Sequence, residues 1–140
     1  MLHALGELGV HEIPGPGASP RIVQYDQVTT LKATSDEIPW CSSFVNWCMS
    51  RDARLVTGSA AASSWLSYGY GVGLTYGAIA VLRRPGGHHV AFVIDWDDGA
   101  IWLLGGNQSN QVCIRAFSRV NLLDARWPMA TSSSIDTKPA

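Results

Sequence analysis

Charge is scarce in this chain of 140 residues: Asp, Glu, Lys and Arg make up 15% of it, and ten basic against eleven acidic residues leave a formal net charge of −1. So small an imbalance gives no bulk attraction to nucleic acid or to an anionic membrane, although Arg83 and Arg84 form a local basic pair. No apolar run approaches the ~18 residues that suggest a transmembrane helix. The opening segment, Met1 to Val10, lacks both a basic stretch and an apolar core of signal-peptide length, and it reads as a short amphipathic helix. The expectation is synthesis in the cytoplasm without a signal peptide, no membrane insertion, and a monomer. Cysteine is also rare, at three residues. Cys41 and Cys48 fall on one predicted helix roughly 10 Å apart along its axis, beyond the about 7 Å Cα separation that a disulfide bridges. Free thiols follow, as in a reducing compartment.

What the chain does have is apolar material. Hydrophobic residues make up 46%, with six tryptophans, enough for one domain with a real core. The domain is expected over residues 1–130, with a Ser/Thr-rich flexible tail over 131–140. Helical signals occupy the first half. After the Pro/Gly-rich loop from Ile13 to Pro20, Ser19 and Pro20 open a second helix. A third is predicted from about Asp36 to Ser50, with Glu37 and Pro39 in its first turn. A fourth runs from Ser59 to about Leu66. The second half reads as short strands over 79–82, 90–95, 100–104 and 111–117, with Asp97-Asp98-Gly99 as a hairpin turn. Helices followed by an antiparallel sheet give an α+β fold.

Two segments carry chemistry: Pro39-Trp40-Cys41-Ser42-Ser43-Phe44-Val45-Asn46-Trp47-Cys48 and Gly87-His88-His89-Val90-Ala91-Phe92-Val93. Cys41 near a helix start gains from the free N–H groups and the dipole, which predict a thiol pKa below that of free cysteine. Taken alone, a buried structural cysteine is the commoner outcome, and that reading is kept for Cys48 and Cys113. The downstream histidine pair changes the balance for Cys41, because an imidazole can activate a thiol. His89 abuts the strand and is favoured over His88, which is more easily a loop residue.

A histidine base needs a partner that fixes its tautomer. Asp95 is six strand residues away, roughly 20 Å, and is excluded. A tight hairpin at Asp98-Gly99 sets Gln108 across from His89, whereas a one-residue bulge at Gly105-Gly106 sets Asn107 there. Zinc is a poor fit: the spacing of Cys41 and Cys48 is too wide, and adjacent strand histidines point to opposite faces. No metal and no cofactor is expected.

The Cys41 segment, the His89 segment and Leu104-Gly105-Gly106-Asn107-Gln108-Ser109-Asn110-Gln111-Val112, in that order, resemble phage- and prophage-type cell-wall hydrolases related to the CHAP and NlpC-type papain-like cysteine amidases and endopeptidases. Gly9-Val10-His11-Glu12-Ile13-Pro14-Gly15 and Arg126-Trp127-Pro128 are similar to the opening and closing segments of that family, so the likeness covers about residues 5–128. Gly77-Ala78-Ile79 departs from it, since an acidic residue commonly follows that glycine. The resemblance implies a papain-like fold with the nucleophile at a helix start, packed on an antiparallel sheet. It further implies Cys41 as nucleophile, His89 as base and Asn107 as third member. Trp40, Tyr70 and Tyr76 are candidates for lining the substrate cleft.

The implied activity is cleavage of a peptidoglycan amide, in the stem peptide or at its link to muramic acid, as in an endolysin. Its partners would be the wall and a holin or delivery machinery. It would act in the cell wall or periplasm after release or delivery. The alternatives are a papain-like protease acting on protein, a toxin delivered between bacteria, and a wall-binding module without chemistry.

Overall fold

The computed structural model describes residues 1–13, 18–29, 31, 39–52 and 54–129. Alternating apolar residues in the second half form one antiparallel sheet of six strands: β1 (Tyr70–Gly71), β2 (Ile79–Arg84), β3 (Gly87–Trp96), β4 (Ala100–Gln108), β5 (Gln111–Ser118) and β6 (Leu122–Trp127). Their order across the sheet is β1-β6-β2-β3-β4-β5. The period of two sorts the side chains into two layers. Ile79, Val81, Val90, Phe92 and Leu104 face the helices, and Ala80, Leu82, Ala91, Val93, Ile101 and Leu103 build a second core on the opposite face. The expected α+β architecture is the observed one, and no described helix is long and apolar enough to cross a membrane.

Among the described residues three α-helices, α1 (Leu2–Gly6), α2 (Pro20–Asp26) and α3 (Cys41–Arg51), cover the first layer. Residues 41–49 of α3 are all buried, so the helix is enclosed on every side rather than lying on the surface with one apolar stripe. Its aromatic side chains meet Tyr25 of α2, with ring centroids 5.2 Å away at Phe44 and 5.2 Å at Trp47. Its polar side has matching partners. Trp65 Nε1 donates to Ser42 Oγ (2.9 Å), which donates to the Ser59 carbonyl (2.7 Å). Asn46 Oδ1 accepts from the Gly58 N–H at 3.0 Å, and its Nδ2 donates to the Ser59 carbonyl at 3.1 Å. Buried polar groups need such partners.

Several sequence expectations require correction. The third helix begins at Cys41, with Trp40 as its N-cap, and Pro39 lies outside it; Asp36 and Glu37 are outside the described residues. The fourth helix is a 3-10 helix, Ala62–Ser67. β1 and β6 were not expected. The segment 131–140 lies outside the described residues.

Candidate active site

Cys41 is the first residue of α3, and no side chain caps that helix start. The backbone amides there remain available, and the N–H groups of Ser42 and Cys41 favour the charged form of the thiol. A third amide, that of Val90, comes from β3. Pairing between β3 and β4 ends at Phe92↔Leu104, which leaves the Val90 N–H free of β4. Gly106 makes the approach possible: a Cβ there would sit 2.6 Å from the Trp40 ring and 2.9 Å from Phe44 Cβ. The missing side chain thus lets the start of α3 rest on the strand, with the sulfur beside the residue that follows His89.

Burial governs the thiol. Cys41 is 3% exposed, and desolvation pushes its pKa up. The Val90 amide and the charge of Arg84 offset this only in part. The expected lowering at a helix start therefore does not win, because the cost of burying an anion exceeds the gain from the amides and dipole. His89, 4% exposed, is shifted the other way: burial lowers its pKa, opposed by its hydrogen bond to Gln108 and assisted by Arg84. Both shifts favour a neutral thiol and a neutral imidazole.

His89 alternates with Val90, so its ring lies on the face of Ala91, stacked on Phe117 at 5.2 Å and 26°. Its Nε2 lies 2.9 Å from Gln108 Oε1. The Gln108 amide is oriented by its own nitrogen, which donates to the carbonyls of Leu103 (3.1 Å) and Cys113 (2.8 Å). The oxygen therefore faces the ring, Nε2 carries the proton, and Nδ1 is the basic nitrogen.

The residue holding His89 is thus Gln108, where Asn107 was expected. Near the turn the pairs are Trp96↔Ile101 and Asp95↔Trp102, the register that sets Gln108 across from His89. Beyond Ile94 it slips by one, to Val93↔Leu103 and Phe92↔Leu104. A second irregularity, between Gly105 and Gln108, centres on Asn107, whose φ is 57°. That left-handed residue reverses the alternation and returns Gln108 to the histidine's face. Gly105 makes room for it, since a Cβ there would lie 2.6 Å from Gln108 Oε1. Asn107 itself borders the adjoining cavity.

The proposed cleft residues do not gather here. Trp40 is fully buried, and its Nε1 donates to Glu12 Oε1 at 2.8 Å; its size and apolar surface place it in the core. Tyr76 lines a cavity with Met49 and Asp52, at the far end of α3 from Cys41. Tyr70 is on β1, three places from β3 across the sheet. Among the described residues no group of three or more His, Cys, Asp or Glu is arranged to hold a metal ion.

The CHAP domain family model matches residues 33–107, and the chain belongs to that family. CHAP domains are typically cysteine/histidine-dependent amidohydrolases or peptidases, and membership points to peptidoglycan hydrolase or amidase activity. No curated protein and no solved structure gives a significant match.

Proposed function

We propose that this protein hydrolyses an amide bond of bacterial peptidoglycan, in the stem peptide or at its link to muramic acid, through a thiol mechanism. The observation that carries this reading is the convergence on one stretch of β3. The Val90 N–H of β3 favours the Cys41 thiolate, and the residue before Val90 is a buried histidine hydrogen-bonded to Gln108. Family membership supports the same reading.

In the resting enzyme the thiol and imidazole are uncharged. As Sγ attacks the scissile carbonyl, its proton passes to His89 Nδ1, and the imidazolium is stabilised through Nε2–H donating to Gln108 Oε1. Negative charge on the carbonyl oxygen is met by N–H donors at the start of α3, the Cys41 amide first among them. Collapse breaks the C–N bond, and the imidazolium protonates the departing amine. Water, deprotonated by His89, then cleaves the thioester and regenerates the thiol. Action in the wall or periplasm follows from the substrate.

The test is lysis of purified peptidoglycan, with released fragments identified by mass spectrometry. Cys41→Ala removes only the attacking sulfur and is expected to abolish release while circular dichroism stays unchanged. Cys48→Ala, at a buried position on the same helix, is expected to remain active and to lose ~1 kcal/mol or more of stability. Lysis by folded Cys41→Ala protein refutes the proposal.

A further inference from the structure

Beside His89 lies a cavity of about 600 Å³, within the size range of ligand sites. Its wall is unusual in charge: Arg83, Arg84 and Arg115 line it, and among the described residues no Asp or Glu does. The sheet register explains their convergence. Leu82 pairs with His89 and Arg115 with Leu103, so Arg84, two residues beyond Leu82, and Arg115 share the face of the imidazole. Arg83 is tied by Nη2 to the Val120 carbonyl (3.1 Å) and Arg115 by Nη1 to Ser109 Oγ (2.6 Å). Neither bond neutralises a charge. Among the described residues the ion pairs are His3–Asp52, Arg21–Glu7 and Arg126–Asp124, so no described carboxylate pairs with the three arginines of the cavity. His89 itself lines the cavity, and the charge of Arg84 is felt at both Cys41 and His89.

We propose that this cavity is an anionic subsite, in which Arg84 and Arg115 bind a free carboxylate of the peptide whose amide is cut. Guanidinium groups suit a planar carboxylate because two parallel N–H donors match its two oxygens. A substrate carrying that group would be held with its amide beside Cys41, and one in which it is blocked would lose the interaction. The proposal rests on the peptidoglycan reading for the identity of the peptide, and it names the feature that selects among stem peptides.

The test separates binding from chemistry. Full-length Cys41→Ala protein is titrated calorimetrically with two soluble disaccharide-tetrapeptides, one with free carboxylates and one with those carboxylates converted to carboxamides. The free acid is expected to bind about 10- to 100-fold more tightly, the range of a charge-assisted hydrogen bond. Arg84→Gln and Arg115→Gln should each reduce that ratio and together remove it, whereas Arg115→Lys should retain part. Equal affinities for the two peptides, no measurable binding of the free acid, or a preference that survives in the double variant each overturn the subsite. Lysis by the wild-type protein is scored separately. Preferential binding without lysis refutes the hydrolase and leaves the subsite standing, and lysis without preference does the reverse.

Discussion

Replacing Gln108 distinguishes the observed histidine clamp from the one expected at Asn107. Gln108 is 3% exposed, and its side chain makes hydrogen bonds at 2.9 Å to His89, 3.1 Å to the Leu103 carbonyl and 2.8 Å to the Cys113 carbonyl, with a longer one of 3.9 Å to Cys113 Sγ. Gln108→Ala strands the imidazole N–H and two carbonyls and opens a void above Gly105. One buried unsatisfied group costs about 1–3 kcal/mol, and the void adds to this, so a stability loss of about 2–4 kcal/mol is expected. The ring is then free to rotate and to exchange tautomers. Misplacing a catalytic group by an ångström costs about 10²-fold, and kcat/KM on peptidoglycan should fall by about that factor. Asn107 supplies a left-handed residue, which glycine provides as well. Asn107→Gly is therefore expected to keep both fold and turnover near wild type. The assay is steady-state release of peptidoglycan fragments at a temperature where urea titration shows every variant folded. An inactive Asn107→Gly beside an active Gln108→Ala would refute the assignment and the register behind it.

Two further outcomes follow from the titration of the site. Burial raises the Cys41 pKa, so iodoacetamide should inactivate slowly at neutral pH and progressively faster as pH rises through and beyond ~8.5; a rate already at its plateau at pH 7 would contradict the buried neutral thiol. Burial lowers the His89 pKa, so its contribution to stability is complete above ~6.5 and lost as pH falls toward the folded-state value, at no more than about 1.4 kcal/mol per pH unit. Urea unfolding at pH 7 and pH 5 should show a smaller acid loss in His89→Gln than in wild type, and equal losses would refute it.

The sheet was legible in the sequence where alternation was strong. The predicted strands at 79–82, 90–95, 100–104 and 111–117 lie within β2, β3, β4 and β5, and the Asp97 side chain closes the predicted turn by accepting from the N–H groups of Gly99 and Ala100 at 2.8 Å each. β6 escaped because Leu122-Leu123-Asp124-Ala125-Arg126-Trp127 is held largely by polar contacts. Arg126 pairs with Asp124 at 2.9 Å and donates to the Tyr68 carbonyl at 2.7 Å, and only Ala125 of that strand is buried. β1 is two residues long and leaves no periodicity.

At the site, residue type and order singled out Cys41 and His89, which a helix start and a strand start make chemically distinctive. The partner of His89 was less legible, because two irregularities of opposite effect separate it from the turn. Each is set by packing between elements, which a hairpin rule does not contain. The direction of the Cys41 shift was missed for a similar cause, since nine consecutive buried residues in α3 are a property of the tertiary structure. Arg115 gave no sequence signal, and Arg84 gave only that of a basic pair.

Gly105 and Gly106 carry a consequence for how such a protein can diversify. One lies against the amide that holds His89 and the other against the start of the helix that carries Cys41. The seating of Gln108 and of the start of α3 is thus gauged from a single dipeptide of bare backbone, without an intervening side chain whose length or rotamer could drift. Residues around the cavity can then be exchanged while the positions of Gln108 and of the start of α3 are inherited unchanged. Substitutions at these two glycines should be the ones that selection on a library of this protein tolerates least, even though neither residue takes part in any bond that is made or broken.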